Sequence, residues 1–496
     1  MFIEEIKVEK YKKLNNFVLK FNKIDNEDFN LSVLIGENGT SKTTILQLIV
    51  NILSRSREKD KMINSFIKYK INDNSYTLTN YNVPEQLPSK LIISSFTPVE
   101  KIYNQAKLSK AAICPVFYSQ MGVSKLKDII VKYVTESTRE SKNLGNIVRY
   151  IGYNPNQLYL EFNEGVDSSS LDTFLRRLYS GKYDDISESI LRNLDLNIDP
   201  WNLVFEYENV LRDYGRLRRT ISHYFEKLDV INDHNHRSRL SKIEIERIYI
   251  EYLYANLKMK SFSNRFSNSM TTYYKGGDQR LVSLFDLNSY FTGKDGFEND
   301  LHFLEKLDRY AINDLWFMSD GTTDFVPLSL WSSGELSLFL RLSEISDSIS
   351  ENSLLLIDEP ETHLHPKWIK SYISILKSII RVNCHVIIAT HAPLIVSDIP
   401  KENIILLKKE GHLINQNQIE EETVGLEYED ILKKIFDVDE KNGTVLETYE
   451  QKIVRCLEEN DLDSAIKLYD QLGNSPTKYE LFLKIKKYYE QRKSRE

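Results

Sequence analysis

The chain has 496 residues, of which 41% are hydrophobic and 28% charged, and its formal net charge is −7. This length allows two or three folding units with sizeable cores, and the negative charge excludes a molecule-wide basic field for nucleic acid. The three cysteines form no metal-type spacing and no disulfide framework, and no apolar run is long enough to span a membrane. We therefore expect a cytoplasmic protein without a membrane segment.

The first 55 residues are predicted to form two strands, a buried strand, a turn and a helix. Alternating side chains at Phe2–Val8 and a second apolar segment at Phe17–Phe21 are typical of half-buried strands. Leu31–Ile35 is apolar throughout, as in a strand that is buried on both faces. Thr44–Leu53 continues as a helix.

The turn between that strand and helix matches the phosphate-binding pattern G-x-x-x-x-G-K-[ST], with one departure. In such a turn, Lys42 reaches the β- and γ-phosphates of a nucleotide, and the Thr43 hydroxyl binds Mg²⁺. The departure is Ser41, which stands where the pattern has glycine. We expect nucleotide binding to survive this change and hydrolysis to be slow. The residues predicted to bind ATP are Gly36, Asn38, Gly39, Ser41, Lys42, Thr43 and Thr44.

The middle of the chain, residues 56–325, gives weaker signals. Leu91–Ser95 is predicted to be a sheet strand, and helical patterns such as Ser170–Tyr179 and Tyr207–Leu228 dominate later. No heptad pattern extends over many turns, which argues against a long coiled coil. A local excess of basic residues includes Arg216–Arg219, which is either a solvated helix face or a contact with nucleic acid.

The motif Ser332-Ser333-Gly334-Glu335 precedes a predicted helix. A serine at a helix N-terminus forms a site for an anion, but the same residues can be a simple helix cap. The position of this motif, between the phosphate-binding turn and the acidic pair described next, favours the anion site.

Two later strand ends carry side chains suited to ATP hydrolysis. The buried strand Leu354–Ile357 leads into Asp358, which can hold Mg²⁺ through water, and Glu359, which can polarise an attacking water. The strand Val386–Ala389 leads to His391, which can hydrogen-bond a γ-phosphate. Because His391 follows the acidic pair by about thirty residues, a catalytic role is favoured over a structural one. Glu359 and His391 are the predicted catalytic residues.

Three other clusters of His or Asp side chains are not interpreted as metal sites, because two lack the further ligands that such a site needs and the third, His363 with His365, follows the acidic pair, where residues commonly line a dimer seam. They are His234 with His236, His363 with His365, and Asp437 with Asp439.

Together, these motifs resemble the ABC-type AAA ATPases related to structural-maintenance-of-chromosomes and Rad-type repair heads, in the short-insert branch of bacterial anti-phage defence. The likeness rests on Gly36–Gly39, Asp358–Glu361, Leu364–Pro366 and Thr390–Pro393. It implies ATP and Mg²⁺ as ligands and a glutamine that links the nucleotide to the insert, for which Gln120 is a weak candidate.

The same resemblance implies that Ser332, Ser333, Gly334 and Glu335 act on ATP bound by a second subunit. ATP is then held between subunits, so the expected assembly is a homodimer or a larger even-numbered homo-oligomer.

The C-terminal tail is predicted to form helices at Val445–Glu459, Leu462–Leu472 and Tyr479–Gln491. Its segments Leu462–Leu468 and Leu472–Pro476 are similar to the ATPase subunit PtuA of Septu systems and of retrons that carry them. This resemblance implies a separate HNH nuclease of the PtuB type as partner, and in retrons a reverse transcriptase with its RNA-linked DNA. No convincing Toprim acids follow the head, so we expect no nuclease activity in this chain.

The predicted fold is α/β: an ABC-type ATPase head with a central β-sheet flanked by helices, a large and mainly helical insert, and a helical C-terminal extension. The head comprises residues 1–55 and 326–408, the insert residues 56–325, and the extension, which is expected to dock a partner, residues 409–496. The predicted function is that of an ATP-dependent sensor and scaffold subunit in anti-phage defence.

Four alternatives stay open. A non-hydrolysing scaffold is suggested by Ser41 and opposed by Glu359 and His391. A DNA-repair clamp is disfavoured by the missing coiled coil, and a transporter energy subunit by the long insert. A PARIS-type defence ATPase is distinguished by a Toprim partner in place of an HNH nuclease.

Overall fold

The computed structural model describes most of the chain, in two compact units, Met1–Gly425 and Leu426–Glu496. The described residues are 1–23, 29–54, 64–72, 74–79, 82–95, 114, 116–118, 130–131, 133–134, 142–163, 168–184, 219, 222–223, 226, 238–272, 275–291, 293–411, 413–436 and 444–493. In these ranges no helix has both the length and the apolar character needed to cross a membrane.

Several predictions concern residues outside the described ranges. They are those on Gln120, His234, His236, Arg216–Arg218, Asp437 and Asp439, and on most of the helix Tyr207–Leu228.

In the described part of the chain, all strands lie before residue 420. In chain order they are β1 (Phe2–Tyr11), β2 (Leu14–Lys20), β3 (Asn30–Gly36), β4 (Ser65–Ile71), β5 (Asn74–Thr79), β6 (Leu91–Ser95), β7 (Val116–Tyr118), β8 (Tyr153–Phe162), β9 (Asn268–Thr272), β10 (Gly277–Ser283), β11 (Ile312–Ser319), β12 (Phe325–Pro327), β13 (Leu354–Asp358), β14 (His385–Ala389), β15 (Ile404–Glu410) and β16 (Leu413–Asn417).

The α-helices are distributed along both units. They are α1 (Lys42–Ser54), α2 (Lys142–Ile151), α3 (Ser168–Tyr179), α4 (Lys242–Phe266), α5 (Gly293–Lys306), α6 (Ser333–Ser348), α7 (Pro366–Lys370), α8 (Tyr372–Ile379), α9 (Pro393–Val396), α10 (Tyr428–Lys434), α11 (Thr444–Glu458), α12 (Leu462–Asp470) and α13 (Pro476–Lys493). Short 3-10 helices occur at Leu284–Ser289, Leu328–Leu330 and Lys401–Asn403.

A seven-stranded sheet forms the centre of the first unit, with the order β16-β15-β3-β14-β13-β6-β7. All neighbouring pairs are parallel except β15 with β16. The strands β13 and β14 are buried along their whole length, which explains why they are almost uninterrupted aliphatic runs. The predicted strands at Leu31–Ile35, Leu91–Ser95, Leu354–Ile357 and Val386–Ala389 all lie in this sheet.

A second, antiparallel sheet of four strands has the order β2-β1-β4-β5. The helix α1 contributes Ile45, Leu46, Leu48 and Ile49 to a hydrophobic core that it shares with both sheets. Each of these side chains is fully buried, so α1 is held on several sides at once. Burial of this kind, at roughly 25 cal/mol per Å² of apolar surface, keeps the turn before α1 in place.

Residues between 153 and 327 form an antiparallel sheet of five strands, with the order β12-β11-β8-β10-β9, which was not predicted from the sequence. The same part of the chain also contains helices α3, α4 and α5. Of these, α4 is a continuous helix of 25 residues that starts with a capping box formed by Ser241 and Glu244. The helix at Ser170–Tyr179 is present as α3. The fold is therefore α/β with several sheets, flanking helices and C-terminal helices, as predicted for the class.

The helical segment after the turn at 359–365 is divided into α7 and α8 at Ser371. The Ser371 hydroxyl donates a hydrogen bond to the Lys367 carbonyl at 2.9 Å. Such back-bonding competes with the regular helical ladder and bends helices.

The second unit is helical, and its three predicted helices correspond to α11, α12 and α13. Between α11 and α12 the chain reverses at Asn460, which has a φ of +63°. Asp461 then caps α12 by accepting a hydrogen bond from the Ser464 amide at 3.0 Å. The core of this unit consists of Ile453, Leu457, Ala465, Leu481 and Ile485.

His385, at the start of β14, joins the four-stranded sheet to the central sheet. Its Nδ1 accepts a hydrogen bond from the Ile3 amide at 3.1 Å, and its Nε2 lies 2.9 Å from the Ser32 hydroxyl. The rings of Phe2 and Phe21 pack on it. Because Nδ1 is an acceptor, the imidazole is neutral in this arrangement, and complete burial lowers its pKa to about 3.

We predict that His385 makes folding sensitive to mild acid. The unfolded chain binds a proton at His385 near pH 6.5 and the folded chain does not, so stability is lost as pH falls below 6.5. For one such group the loss between pH 7 and pH 5 is about 2 kcal/mol. The variant His385→Asn keeps an acceptor for the Ile3 amide but has no group that titrates in this range. Its free energy of unfolding, measured with urea, should therefore fall between pH 7 and pH 5 by about 2 kcal/mol less than that of the wild type. Equal differences in both proteins would contradict the prediction.

Candidate functional site

The predicted ATP-binding and catalytic residues meet at one edge of the central sheet. The strand β14 lies between β3 and β13, and all three are parallel. In register, Asp358 is opposite Ala389, and Ala389 is opposite Leu34. Parallel strands end at the same edge of a sheet, so the turn after β3, the acids ending β13 and His391 after β14 are neighbours.

The turn after β3 needs glycine at Gly36 and favours it at Gly39. Gly36 has a φ of +149°, and a Cβ there would lie 2.4 Å from the Leu407 carbonyl oxygen on β15. Gly39 has a φ of +87° and lies at the exposed tip of the turn. The helix α1 begins at Lys42, so the first N–H groups of this helix, which have no partner inside it, are at the turn.

Ser41 also adopts a conformation that glycine prefers. Its φ is +68°, its side chain is buried, and its hydroxyl has no hydrogen-bond partner among the described residues. A non-glycine residue in this left-handed region costs roughly 1 kcal/mol. The geometry therefore explains why the pattern has glycine here, and it makes Ser41 a strained position of the turn.

The Lys42 ammonium group is folded back onto the turn. It donates hydrogen bonds to the carbonyl oxygens of Gly36 at 2.7 Å and Glu37 at 3.0 Å. Burial lowers the pKa of Lys42 to about 8, against the opposing influence of Glu359, Glu361 and Asp358. At neutral pH this lysine is still mostly charged, and a phosphate group would be a stronger partner than neutral carbonyls.

Thr43 and Asp358, the two residues predicted to bind Mg²⁺, are in direct contact. The Thr43 hydroxyl donates to Asp358 Oδ1 at 3.0 Å, across a separation of 315 residues. A hydroxyl and a carboxylate are the oxygen donors that Mg²⁺ takes, usually together with several waters and phosphate oxygens. The donor set therefore fits Mg²⁺.

Glu359 and His391 face each other beside this pair. Nε2 of His391 lies 3.9 Å from Oε1 of Glu359, and each side chain is about one-third exposed. Glu359 has a φ of +49°, and its amide donates to the Ala389 carbonyl at 2.8 Å. Burial and the nearby charge of Lys42 lower the pKa of His391 to about 4. At neutral pH His391 therefore has one donor and one acceptor nitrogen.

Glu361, for which the sequence analysis proposed no role, connects the two catalytic segments. Its Oε1 accepts a hydrogen bond from the His391 amide at 2.6 Å. The Thr390 side chain also bonds to this carboxyl group, and burial raises the pKa of Glu361. The signal in the sequence was only that another acid directly follows Asp358-Glu359-Pro360.

The motif Ser332–Glu335 forms the start of α6. Ser332 is the N-cap and accepts from the Glu335 amide at 3.2 Å, while Glu335 Oε2 accepts from the Ser332 amide at 2.7 Å. This is a capping box. Ser332 and Ser333 are exposed, so the N-terminus of α6 is capped and is still accessible to solvent. A Cβ on Gly334 would lie 2.8 Å from the His363 carbonyl oxygen, which requires glycine at this position.

The insert contacts this motif through Tyr153, the first residue of β8, which the sequence analysis also missed. The Tyr153 hydroxyl donates to Glu335 Oε1 at 3.1 Å. Its ring stacks on Trp331 with centroids 4.4 Å apart and an angle of 5° between the planes. Nothing in the local sequence marks Tyr153 among the chain's 29 tyrosines.

Of the clusters not interpreted as metal sites, one lies in the described residues. Nδ1 of His365 caps α7 by accepting from the Lys367 amide at 3.2 Å, and His363 has a φ of +66° in the preceding turn. Across the described ranges, no group of three or more His, Cys, Asp or Glu side chains could hold a metal.

Comparison with known families and proteins supports an ATPase. Residues 152–397 match the family described as "AAA domain, putative AbiEii toxin, Type IV TA system". Protein ea59 of Escherichia phage lambda is 30% identical over 113 residues, and the match spans only 22% of that protein. The Retron Vc95 probable ATPase of Vibrio cholerae serotype O1 biovar El Tor is 21% identical over 451 residues, covering 82% of this chain and 73% of the relative.

Solved structures similar to this chain include heads of structural-maintenance-of-chromosomes proteins. The Smc head domain of Pyrococcus furiosus bound to the C-terminal domain of ScpA is 14% identical, with a TM-score of 0.30 and coverage of 84% of this chain and 96% of that one. The SMC head domain from Thermotoga maritima is 10% identical, with a TM-score of 0.29 and coverage of 85% and 100%.

We predict that Ser41→Gly stabilises the protein. The substitution removes the left-handed strain and the buried, unpartnered hydroxyl, and it loses part of this gain because glycine makes the unfolded chain more flexible. The expected net increase in the free energy of unfolding is about 0.5–1 kcal/mol, measured by urea unfolding. Ser41→Ala is the matched control, because it removes the hydroxyl and keeps the strain. Equal effects of the two substitutions would show that the backbone conformation is not the cause.

Proposed function

We propose that this chain, which contains an AAA-family ATPase domain, is the ATP-binding and ATP-hydrolysing sensor and scaffold subunit of an anti-phage defence system. The observation that carries the ATPase part is the meeting of Lys42, Thr43, Asp358, Glu359 and His391 at one sheet edge. These residues supply a phosphate cradle, two Mg²⁺ ligands, and a carboxylate beside a neutral imidazole.

The proposed reaction is transfer of the γ-phosphoryl group of ATP to water. Lys42 leaves the carbonyl oxygens of its own turn and binds the β- and γ-phosphates, while Thr43 and Asp358 hold Mg²⁺. When bound, Mg²⁺ neutralises charge on the phosphate oxygens. Glu359 orients the attacking water and accepts its proton, and His391 donates a hydrogen bond to a γ-phosphate oxygen.

The signature residues Ser332, Ser333, Gly334 and Glu335 are proposed to act on ATP bound by a second copy of this chain. The exposed N-terminus of α6 supports this role, because helix N-termini attract anions. ATP would then hold a homodimer or a larger even-numbered homo-oligomer together, and hydrolysis would release it.

The defence role and the partner are proposed from similarity. A relative of this chain is named a retron ATPase, and the tail resembles the Septu ATPase subunit. The proposed partner is a separate HNH nuclease of the PtuB type, with a reverse transcriptase and its RNA-linked DNA in a retron setting. Docking is assigned to the helical unit Leu426–Glu496, which has its own core.

A non-hydrolysing scaffold is the second candidate function, and the strained Ser41 is the observation that favours it. Glycine would adopt its φ of +68° without strain, whereas serine does not, and we expect this strain to affect turnover more than binding. The facing Glu359 and His391 favour hydrolysis.

We predict that Glu359→Gln keeps ATP binding and lowers kcat by about 100-fold or more, because it removes the group that takes the proton of water. The trapped state should shift the protein toward dimers in sedimentation experiments with Mg-ATP. Lys42→Ala is the control, and it should lose ATP binding and the shift together. Unchanged turnover in Glu359→Gln would remove Glu359 from the mechanism.

We predict that the tagged protein, expressed from its native operon, retains an HNH nuclease in a pull-down, and that ATP or the Glu359→Gln substitution changes the amount retained. Retention that is equal in every condition would favour the non-hydrolysing scaffold. Recovery of a Toprim protein would favour a PARIS-type system, and recovery of no nuclease would contradict the defence assignment.

A further inference from the structure

Glu361 connects the end of β13 to the segment after β14 through a side chain that a nucleotide-binding role does not explain. One oxygen, Oε1, accepts from the His391 amide at 2.6 Å. The other, Oε2, is buried and has no hydrogen-bond partner among the described residues. Oε1 of Glu361 is therefore engaged with the protein backbone, and Oε2 is shielded from solvent.

Other hydrogen bonds also hold the segment that Glu361 contacts, since the Ala392 amide donates to Thr390 Oγ1 at 2.9 Å. Thr390 continues the sheet, because its amide donates to the Leu34 carbonyl at 3.1 Å. After Thr390 the strand has ended, and α9 does not begin until Pro393. His391 therefore lies in a short connection whose backbone amide bonds to Glu361.

On the other side, Glu361 is itself held close to Glu359. The amide of Thr362 donates to the Glu359 carbonyl at 3.2 Å, and the amide of Leu364 donates to the Glu361 carbonyl at 3.0 Å. These bonds form a compact turn that contains both glutamates. This turn therefore holds the backbone of both glutamates, and the Glu361 side chain reaches from it to the His391 amide.

We propose that Glu361 is a positioning residue that sets the distance between His391 and Glu359 by binding the His391 amide. The inference rests on the proposed ATPase function and assigns to Glu361 no contact with ATP, water or Mg²⁺. This role requires an acceptor oxygen within hydrogen-bond distance of the His391 amide, and it does not require a negative charge.

Two substitutions distinguish the effect of the length of the Glu361 side chain from the effect of its charge. Glu361→Gln keeps the length and an acceptor oxygen, and it removes the charge. Glu361→Asp keeps the charge and is shorter by one methylene, so it withdraws the oxygen from the His391 amide. We expect kcat for ATP hydrolysis to stay within about threefold of wild type in Glu361→Gln and to fall about 10- to 100-fold in Glu361→Asp. KM for ATP should stay within about twofold in both, because the turn at 36–44 is untouched.

A double substitution tests whether Glu361 acts through His391. If it does, adding Glu361→Asp to His391→Ala causes no further loss of kcat, because the side chain to be positioned is already absent. Losses that multiply would show that Glu361 acts on its own, and a loss in Glu361→Gln as large as that in Glu361→Asp would show that the length of the side chain does not account for the effect. Either result overturns the proposal.

Hydrogen exchange separates failure of this proposal from failure of the ATPase function. Glu361→Asp should speed exchange of the His391 amide by at least about tenfold, while Glu361→Gln and the neighbouring substitution Thr362→Ala should not. This readout does not need ATP. Unchanged exchange in Glu361→Asp overturns the positioning role, whereas faster exchange in a protein without any ATPase activity would overturn the proposed function and leave the positioning role supported.

Discussion

The parallel pairing of β14 between β3 and β13 is the constraint on which the site depends. It brings together residues from the two ends of the first unit, as the bond between Thr43 and Asp358 across 315 positions shows. In a parallel sheet buried on both faces, shifting one strand by a single residue would also reverse which side chains face each core layer. The aliphatic strands therefore determine where Asp358, Glu359 and His391 lie, although none of the aliphatic side chains takes part in the chemistry.

The charges around this edge depend on one another. Three carboxyl groups, those of Asp358, Glu359 and Glu361, surround Lys42 and oppose the lowering of its pKa by burial. The same lysine lowers the pKa of His391. A polyphosphate bound here as proposed would meet one ammonium group and several acids, so a divalent cation on the phosphates would help to balance the charge. Burial and the charge of Lys42 together keep His391 neutral at neutral pH. A neutral imidazole still has one N–H donor and adds no positive charge to the site.

Much of this edge could be predicted from the sequence because its signals are local. A buried strand of the central sheet is an aliphatic run, and the residues that follow it lie at the strand end whatever the rest of the chain does. The five-stranded sheet of the insert was missed for the opposite reason. Its central strand β8 pairs with β11, whose residues follow more than a hundred positions later, and no local pattern specifies such a pairing. Glu361 was missed because its partner is a backbone amide, which has no signature in the sequence.

The insert reaches the signature motif through side chains that belong to its own sheet. Tyr153 begins β8, the central strand of that sheet, and it bonds Glu335 and stacks on Trp331. One turn earlier, Tyr150 on α2 donates to the carbonyl of Trp368 in α7, the helix after the acidic pair. Glu335 at the same time closes the cap of α6. Through Tyr153, β8 therefore contacts the same Glu335 side chain that caps α6 at Ser332.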